Sequence, residues 1–399
     1  LDEVEARGFG TNVAAYVGFG PVRRAVLGES GRAPDEGELR EMKSLVAKGM
    51  CEGALGLSTG LYYVPQSFAD TDEVIALARE AAIRGGIYDT HQRDEATYTI
   101  GVEQSVQEVL AIGREAGLPV HIAHIKVLGV DAHGTSGAII EAINRARAAG
   151  QDVTADQYPW EASGTSLQAA LLPRWSQDGG REALLERLED PAQRGRIEAE
   201  MAENMRRRGG AHSLLLVAPG HEWTSMRLDA IAAKWNVDPI AAAIRIIQDG
   251  DGSGKLVSFN MAESDIVAFM RQPWVVTSSD GSEGHPRMYA TLPQKYRQYV
   301  QQAAAVDLAT FINSSTGRTA DRFGLSDRGH LRPGYKADIV MFDPDRYRPV
   351  ATYLRPRELS EGVLTLVVNG EVVIADGKPT GVAAGRALRH RPPPETCPA

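Results

Sequence analysis

The chain has 399 residues, of which 43% are hydrophobic and 24% are charged, so it can bury a large core and is neither disordered nor fibrous. Its 43 basic and 52 acidic side chains give a net charge of −9, which leaves no basic excess to hold nucleic acid or an anionic membrane surface. No apolar run approaches the roughly 20 residues of a membrane-spanning helix. We therefore expect neither nucleic acid nor a membrane as a partner, and the composition leaves the oligomeric state open.

The two cysteines favour a reducing compartment. Cys51 and Cys397 lie too far apart in sequence to indicate a disulfide framework, and they do not form a CxxC metal pair. The sequence thus predicts a cytoplasmic protein. The chain opens at Leu1, inside a predicted helix and without a methionine, so we expect that an upstream segment is missing, together with any signal peptide it contained.

Residues 12 to about 160 alternate short β-type runs with helical patterns, which is typical of βα units and a parallel sheet. The predicted helices begin after Pro34, near Asp70, near residue 100 and near residue 137. The five predicted strands are residues 12–18, 54–60, 86–91, 120–126 and 152–158.

The alternation of predicted strands and helices stops after residue 158. A mostly helical insertion, at about residues 166–270 with one strand-like patch at 213–218, separates these units from the next predicted strand, 274–280. Residues 316–389 read as a small β unit with a hairpin turn at Asn369-Gly370, and the Pro-rich residues 390–399 predict a disordered tail. Residues 1–315 then form the α/β part.

Strand parity selects the candidate site residues, because successive side chains of a strand point to opposite faces. In VHIAHIK, His124 and Lys126 share one face near the end of the predicted strand, whereas His121 falls on the other face. Active sites of α/β barrels lie at the carboxyl ends of the strands. The pattern therefore favours His124 and Lys126 over His121.

Three other predicted strands also end in residues that carry chemistry, namely His91, Tyr158 and Asp280. Imidazole and carboxylate groups converging at strand ends would explain this set as a metal site. Taken singly, His91 and Asp280 fit equally well as hydrogen-bonded turn residues. Their conjunction at four strand ends makes the metal site the better interpretation.

Seven segments together carry a resemblance to a known family. The chain resembles the N-acyl-D-amino-acid deacylases, or D-aminoacylases, of the amidohydrolase superfamily, and it does so along nearly its whole length. The segments are GALGLSTGLYY, GIYDTHQRDE, VHIAHIK, DVTADQYPW, TSSDGSEGHPRMY, STGRTADRFGLSDRGHLRPGYKADIVMFDP and VVNGEVVIADG.

The resemblance implies a zinc-dependent (β/α)8 barrel with a small C-terminal β-sandwich, and one or two zinc ions. It implies His91, His124 and Asp280 as metal ligands on the fifth, sixth and eighth strands. The family also carries a His-x-His pair on its first strand and a cysteine on its second, and neither motif occurs in this sequence. We therefore expect the first two strands to be missing and the metal site of this chain to be incomplete.

The resemblance further implies hydrolysis of an N-acyl-D-amino acid, a small-molecule substrate, to a carboxylate and a free D-amino acid. Asp280 would then be the catalytic base and acid. Lys126, Tyr158 and Arg287 would hold the substrate carboxylate, for which the fork of an arginine is well suited. His285, beside Arg287, fits either a pocket-shaping or a loop role.

Two alternatives stay open from sequence. One is a related metal-dependent amidohydrolase acting on a cyclic or dipeptide-like amide. Such enzymes typically carboxylate a lysine between two metals, and residues 54–60, which the resemblance makes the fourth strand of the barrel, contain no lysine. The other is a non-catalytic barrel, which the absent His-x-His pair favours. The insertion fits either a mobile lid or a rigid wall.

Overall fold

The computed structural model describes residues 1–249 and 254–397. Its strands, in chain order, are β1 (Val17–Gly18), β2 (Gly56–Gly60), β3 (Ile87–His91), β4 (Val120–Ile122), β5 (Val153–Gln157), β6 (Ala162–Ser166), β7 (Leu214–Val217), β8 (Lys255–Phe259), β9 (Val275–Thr277), β10 (Ile339–Phe342), β11 (Val363–Val368), β12 (Glu371–Ala375) and β13 (Lys378–Pro379).

The α-helices are α1 (Asp2–Arg7), α2 (Phe19–Leu27), α3 (Glu36–Cys51), α4 (Thr71–Ile83), α5 (Val102–Ala116), α6 (Ser136–Ala148), α7 (Leu167–Leu171), α8 (Gly180–Glu189), α9 (Pro191–Arg207), α10 (Leu228–Trp235), α11 (Pro239–Asp249), α12 (Glu263–Met270), α13 (Arg287–Gln294), α14 (Leu308–Ser315) and α15 (Gly317–Arg322). A π-helical segment, Lys295–Gln302, continues α13. Short 3₁₀ turns lie at Gln66–Phe68, Arg174–Gln177, Ala211–Ser213 and Pro394–Thr396.

Six strands form one parallel sheet in the order β1-β2-β3-β4-β5-β9. Neighbours in this sheet are also neighbours in the chain, apart from the insertion between β5 and β9. Sequential parallel strands with helical crossovers are the arrangement of a (β/α)8 barrel, and β1 and β9 are the two edges of the described sheet. The predicted α/β fold is confirmed.

Alternation along these strands separates a core face from a polar face. Tyr88 on β3, Val120 and Ile122 on β4, and Val153 and Ala155 on β5 are fully buried in one hydrophobic cluster with the surrounding helices. The intervening residues therefore point to the opposite face, which is the interior of the barrel.

The insertion between β5 and β9 is a mixed unit rather than a mostly helical one. Strands β6, β8 and β7 form an antiparallel sheet, and helices α7 to α11 pack around a separate hydrophobic cluster. Only β7 was expected from sequence. Strand β6 has the sequence ASGTS, whose small polar residues give no strand signal of their own, and it is ordered by pairing with β8.

A separate four-stranded antiparallel sheet, β10-β11-β12-β13, follows the main sheet, as the sequence predicts for the C-terminal β unit. Asn369 and Gly370 have φ values of 51° and 89°, and Val368 pairs with Glu371, so the predicted two-residue hairpin is confirmed. The boundaries at residues 315 and 389 stay predictions.

The C-terminal tail is tied to the barrel, in contrast to the predicted disorder. Cys51, the last residue of α3, forms a disulfide with Cys397, so the prediction that the two cysteines do not pair is wrong. The backbone N–H of His390 also donates to the carbonyl of Gly53 (3.0 Å). Sequence separation concealed this pairing because only the fold brings the two ends together. Residues 398 and 399 lie outside the described part.

Within residues 1–249 and 254–397, no helix combines the length and apolar character that crossing a membrane requires.

Replacing both cysteines by serine should lower the free energy of unfolding by about 2–4 kcal/mol, the usual contribution of a disulfide. Urea unfolding followed by circular dichroism measures this. A reductant should lower the stability of the wild type to that of the double variant and leave the double variant unchanged. Two free thiols in the native, unreduced protein would contradict the pairing.

Lys295 predicts a specific pH dependence. Burial and, second, the charge of Arg318 lower the pKa of Lys295 from 10.5 to about 7, while its Nζ donates to Thr277 Oγ1 (2.7 Å). The unfolded chain then binds more protons than the native one between about pH 7 and 10.5, so stability should rise with pH across this range.

Urea unfolding at several values between pH 7 and 9.5 measures this slope. Lys295→Met should make it shallower, whereas replacing the exposed Lys378 by methionine should leave it unchanged. Equal slopes in wild type and Lys295→Met would contradict the lowered pKa.

Candidate metal and substrate site

His91 and His124 lie against each other at the carboxyl ends of β3 and β4. His91 Nδ1 is 3.0 Å from His124 Nε2, and both side chains line a cavity of about 50 Å³. His91 is the last residue of its strand, as predicted. The two histidines selected from sequence are thus brought together.

Glu95 joins these histidines and was missed by the sequence analysis. Its Oε1 is 3.2 Å from His124 Nδ1 and its Oε2 is 3.6 Å from His91 Nε2. The three residues form a group whose potential ligand atoms all lie within 4.8 Å of one another. The only sequence signal was the spacing of four residues between His91 and Glu95, which lies in a loop where no period is expected.

The prediction for His121 is wrong. Strand β4 ends at Ile122 rather than at Lys126, so alternation does not extend to His124, whose φ of 39° is left-handed. His121 pairs in register with Asp89 and points to the same interior face. There its Nε2 is 2.9 Å from Asp156 Oδ2, and its Nδ1 is 2.7 Å from Thr154 Oγ1. His121, Asp89 and Asp156 form a second buried group beneath the first.

The three residues of the first group, His91, Glu95 and His124, differ in their ionisation. Burial holds the pKa of His91 well below its usual value, so this imidazole is neutral at neutral pH. Burial and Lys126 lower the pKa of His124, but nearby carboxylates outweigh them and leave it raised. Burial raises the pKa of Glu95, but the imidazoles of His91 and His124 and the ammonium of Lys126 together outweigh it and leave this pKa lowered, so the carboxylate is ionised.

These residues fit a zinc ion. His91 Nε2 is buried and makes no hydrogen bond with any described residue, and the neutral state of the ring is the form that binds metal. Two imidazoles and a carboxylate are donors that zinc commonly takes. Asp280 lines the same cavity, but it stands outside the group of atoms within 4.8 Å.

Lys126 is buried rather than solvated. Its Nζ donates to Glu95 Oε1 (2.6 Å), to the carbonyl of His124 (2.7 Å) and to His124 Nδ1. The ammonium also lies 5.6 Å from the ring centre of Tyr158. The sequence predicts Lys126 near the metal ligands. In the structure it contacts two members of the candidate group, Glu95 and His124, directly.

Arg287, Tyr158 and Asp280 form the second side of the site. The guanidinium of Arg287 lies 4.5 Å from the ring centre of Tyr158, and its Nη1 is 2.8 Å from Asp280 Oδ2. Its Nε is buried without a hydrogen-bond partner among the described residues, so a donor is left over for an anion. Asp280 follows β9 and has a left-handed φ of 43°. The predicted strand to residue 280 ends at Thr277.

His285 positions Arg287. Its Nδ1 accepts the backbone N–H of Arg287 (3.1 Å), and its Nε2 donates to the carbonyl of Ala162 (3.0 Å). Burial and, second, the charge of Arg287 hold the pKa of His285 well below its usual value, so the ring stays neutral. Of the two roles left open from sequence, the structure favours shaping of the pocket.

The insertion forms one wall of the cavity. Ser163, Gly164 and Thr165 of β6 line it opposite the histidines, and Tyr63, which follows β2, lies with its ring 4.8 Å from that of His91. A β-carbon on Gly164 would come within 3.1 Å of Arg287 Nη2, so glycine gives the guanidinium its space. Gly164 and Thr165 also line a second cavity of about 250 Å³.

A comparison with protein-family models finds a match to the amidohydrolase family over residues 12–374. Among curated proteins, the chain is similar to the D-aminoacylase of Alcaligenes xylosoxydans xylosoxydans. The two are 32% identical over 392 residues, which cover 97% of this chain and 72% of that protein.

Solved structures give the same picture. A D-aminoacylase with a binuclear metal centre, described by one-metal activation and second-metal attenuation, superimposes with a TM-score of 0.81 at 30% identity, covering 98% of this chain and 74% of that one. An N-acyl-D-glutamate deacylase from Bordetella bronchiseptica, complexed with zinc and a phosphonate inhibitor, gives a TM-score of 0.79 at 31% identity, covering 97% and 74%.

His91→Ala and His124→Ala should each weaken zinc binding by more than about 100-fold, beyond the 10–100-fold effect of residues that only support a ligand. Competition with a chromophoric chelator measures the affinity. His133→Ala is the matched control, because His133 Nε2 binds the carbonyl of Asn260 (3.0 Å) and is not among the residues of the ligand group. Unchanged affinity in His91→Ala would contradict the assignment.

Proposed function

The chain belongs to the amidohydrolase family, and from this premise we propose that it is a zinc-dependent hydrolase of N-acyl-D-amino acids. It cleaves the linear amide bond and releases a carboxylate and a free D-amino acid. The observation that carries the proposal is the convergence of His91, Glu95 and His124 in one cavity with Asp280, whose ion-pair partner Arg287 has a spare donor. The named deacylases to which the chain is similar support the substrate class.

His91 and His124 would hold the zinc, with Glu95 beside them and Asp280 drawn in from the same cavity wall. One or two ions are in keeping with the metal centres of the related structures. Zinc bound there would supply Lewis-acid chemistry, polarising the acyl carbonyl and lowering the pKa of a water. The assignment of these ligands stays a prediction.

Asp280 is the proposed proton carrier. Its carboxylate lines the cavity of the two histidines and can accept a proton from the attacking water, then pass it to the leaving nitrogen. The amine leaves only once it is protonated, so one residue can serve both steps. The left-handed backbone at Asp280 turns the carboxylate away from the strand direction and into the cavity.

Arg287, Lys126 and Tyr158 would bind the carboxylate of the substrate. The guanidinium of Arg287 lies 4.5 Å from the ring centre of Tyr158 and its Nε has no partner among the described residues, so an incoming carboxylate can use this edge of the guanidinium. Such binding would compete with the Arg287–Asp280 ion pair and release Asp280 for proton transfer. Substrate binding and activation of the base are then coupled.

The cavity of about 250 Å³ next to the site suits an uncharged group of the substrate. Val217, Leu256 and Val257 contribute apolar surface, and the charges of Lys255 and Glu283 at its rim neutralise each other at 2.7 Å. A pocket of this character takes an acyl chain or an apolar side chain.

A cytoplasmic location stays a prediction. The Cys51–Cys397 disulfide counts against it, because structural disulfides persist chiefly in oxidising compartments.

Amine release from paired N-acetyl-D-methionine and N-acetyl-L-methionine, with zinc added, tests the function. We expect cleavage of the D-form alone, because the deacylases to which the chain is similar are named for D-amino-acid substrates. Asp280→Asn should lower kcat by about 10²–10⁴-fold, the usual contribution of a general acid and base.

Equal cleavage of both hands would contradict the D-specific assignment. Zinc binding without cleavage of either N-acetylmethionine would support the fold and the metal site but contradict the proposed substrate class. Other amides would then be tested as substrates.

A further inference from the structure

Asp156 occupies a central position beneath the proposed metal site. It lies on the interior face of β5, next to the end of the strand. Its Oδ1 accepts the backbone N–H of His124 (2.7 Å) and the hydroxyl of Ser278, while its Oδ2 pairs with His121 Nε2 (2.9 Å). One carboxylate thus joins the chain segments that follow β4 and β9.

Both segments hold a residue in a conformation that side chains other than glycine rarely adopt. His124 has a φ of 39° and Asp280 a φ of 43°. Such residues persist where surrounding contacts over-determine the backbone, and they cluster at functional sites. Asp156 contacts the first residue directly and reaches the second through Ser278, two positions before it.

We propose that Asp156 is the positioning residue that holds His124 and Asp280 in their metal-binding and proton-transferring arrangement. This inference rests on the proposed function for the role of the two residues. The hydrogen bonds pull the two strand ends toward β5, so that the imidazole and the carboxylate face one cavity. His121 supports the arrangement from below by fixing Oδ2.

The group of Asp156, His121 and Asp89 acts in this way rather than as a further metal site. Both ring nitrogens of His121 already have hydrogen-bond partners, in Asp156 and Thr154, so neither nitrogen is left over for an ion. Asp156 likewise uses both oxygens within the protein. Its hydrogen-bond partners are the backbone N–H of His124 and the side chains of Ser278 and His121.

The test compares Asp156→Ala with Asp156→Asn. Loss of the carboxylate should weaken zinc binding 10–100-fold, the effect of removing a residue that orients a ligand. The amide oxygen of Asp156→Asn can still accept from His124 and Ser278, and its NH₂ can donate to His121 in the other ring tautomer. This variant should therefore recover most of the affinity, as measured by chelator competition.

Asp265→Ala is the matched control. Asp265, a buried residue, accepts backbone N–H groups as Asp156 does, from Gly134 (2.8 Å) and Ser136 (3.3 Å), but away from the site. It should lower the melting temperature and leave the zinc affinity unchanged. Equal zinc loss in Asp265→Ala and Asp156→Ala, or an Asp156→Asn variant as weak as Asp156→Ala, would overturn the proposal.

A readout without metal separates this proposal from the proposed function. Hydrogen exchange in the zinc-free protein should show the amide of His124 protected in the wild type and in Asp156→Asn, and exposed in Asp156→Ala. Unchanged protection in Asp156→Ala would overturn the positioning role. If the three proteins show this pattern of protection but the wild type binds no zinc, the proposed metal chemistry is refuted and the positioning role of Asp156 is retained.

Discussion

Parallel pairing of β3, β4, β5 and β9 is the constraint on which the rest of the site depends. Because the strands run in one direction and in register, their carboxyl ends meet at one edge of the sheet. Residues as far apart in sequence as Tyr62 and Asp280 then share a cavity of about 50 Å³. The core face of the same strands is occupied by apolar side chains, so the polar residues have only the interior face available.

Charge pairing governs the site once these residues meet. Glu95 is ionised although buried, because the ammonium of Lys126 pairs with it, and Asp280 pairs with Arg287. A buried polar group without a partner is costly, so a donor that the protein leaves unpaired beside the site is a place where a substrate anion is favoured. The Nε of Arg287 is such a donor, although Nη1 of the same guanidinium pairs with Asp280.

Elements outside the sheet complete the site and secure the fold. The insertion supplies β6 as a wall directly after β5, so it is anchored by a paired strand rather than joined only by a flexible loop. The disulfide closes the far end of the chain onto α3, on the side of the molecule that carries no proposed catalytic group. Strand β6 therefore completes the cavity, whereas the C-terminal segment secures the fold. Neither strand β6 nor the disulfide has a strong signal in the sequence.

The sequence by itself determined the order of the parallel strands and their helices, the hairpin at Asn369-Gly370 and the location of His91, His124, Lys126, Tyr158 and Asp280 at or just beyond strand ends. These follow from local periodicity and turn chemistry, which adjacent residues encode. Only the tertiary structure decided that Glu95 joins the histidines, that His121 faces the interior and that Cys51 meets Cys397. Each of these depends on where a strand stops or on which distant segments pack together. Alternation of side chains along the sequence shows neither where a strand stops nor which distant segments pack together. Strand β4 stops at Ile122 and His124 is left-handed, so the alternation of β4 cannot be extended to His124.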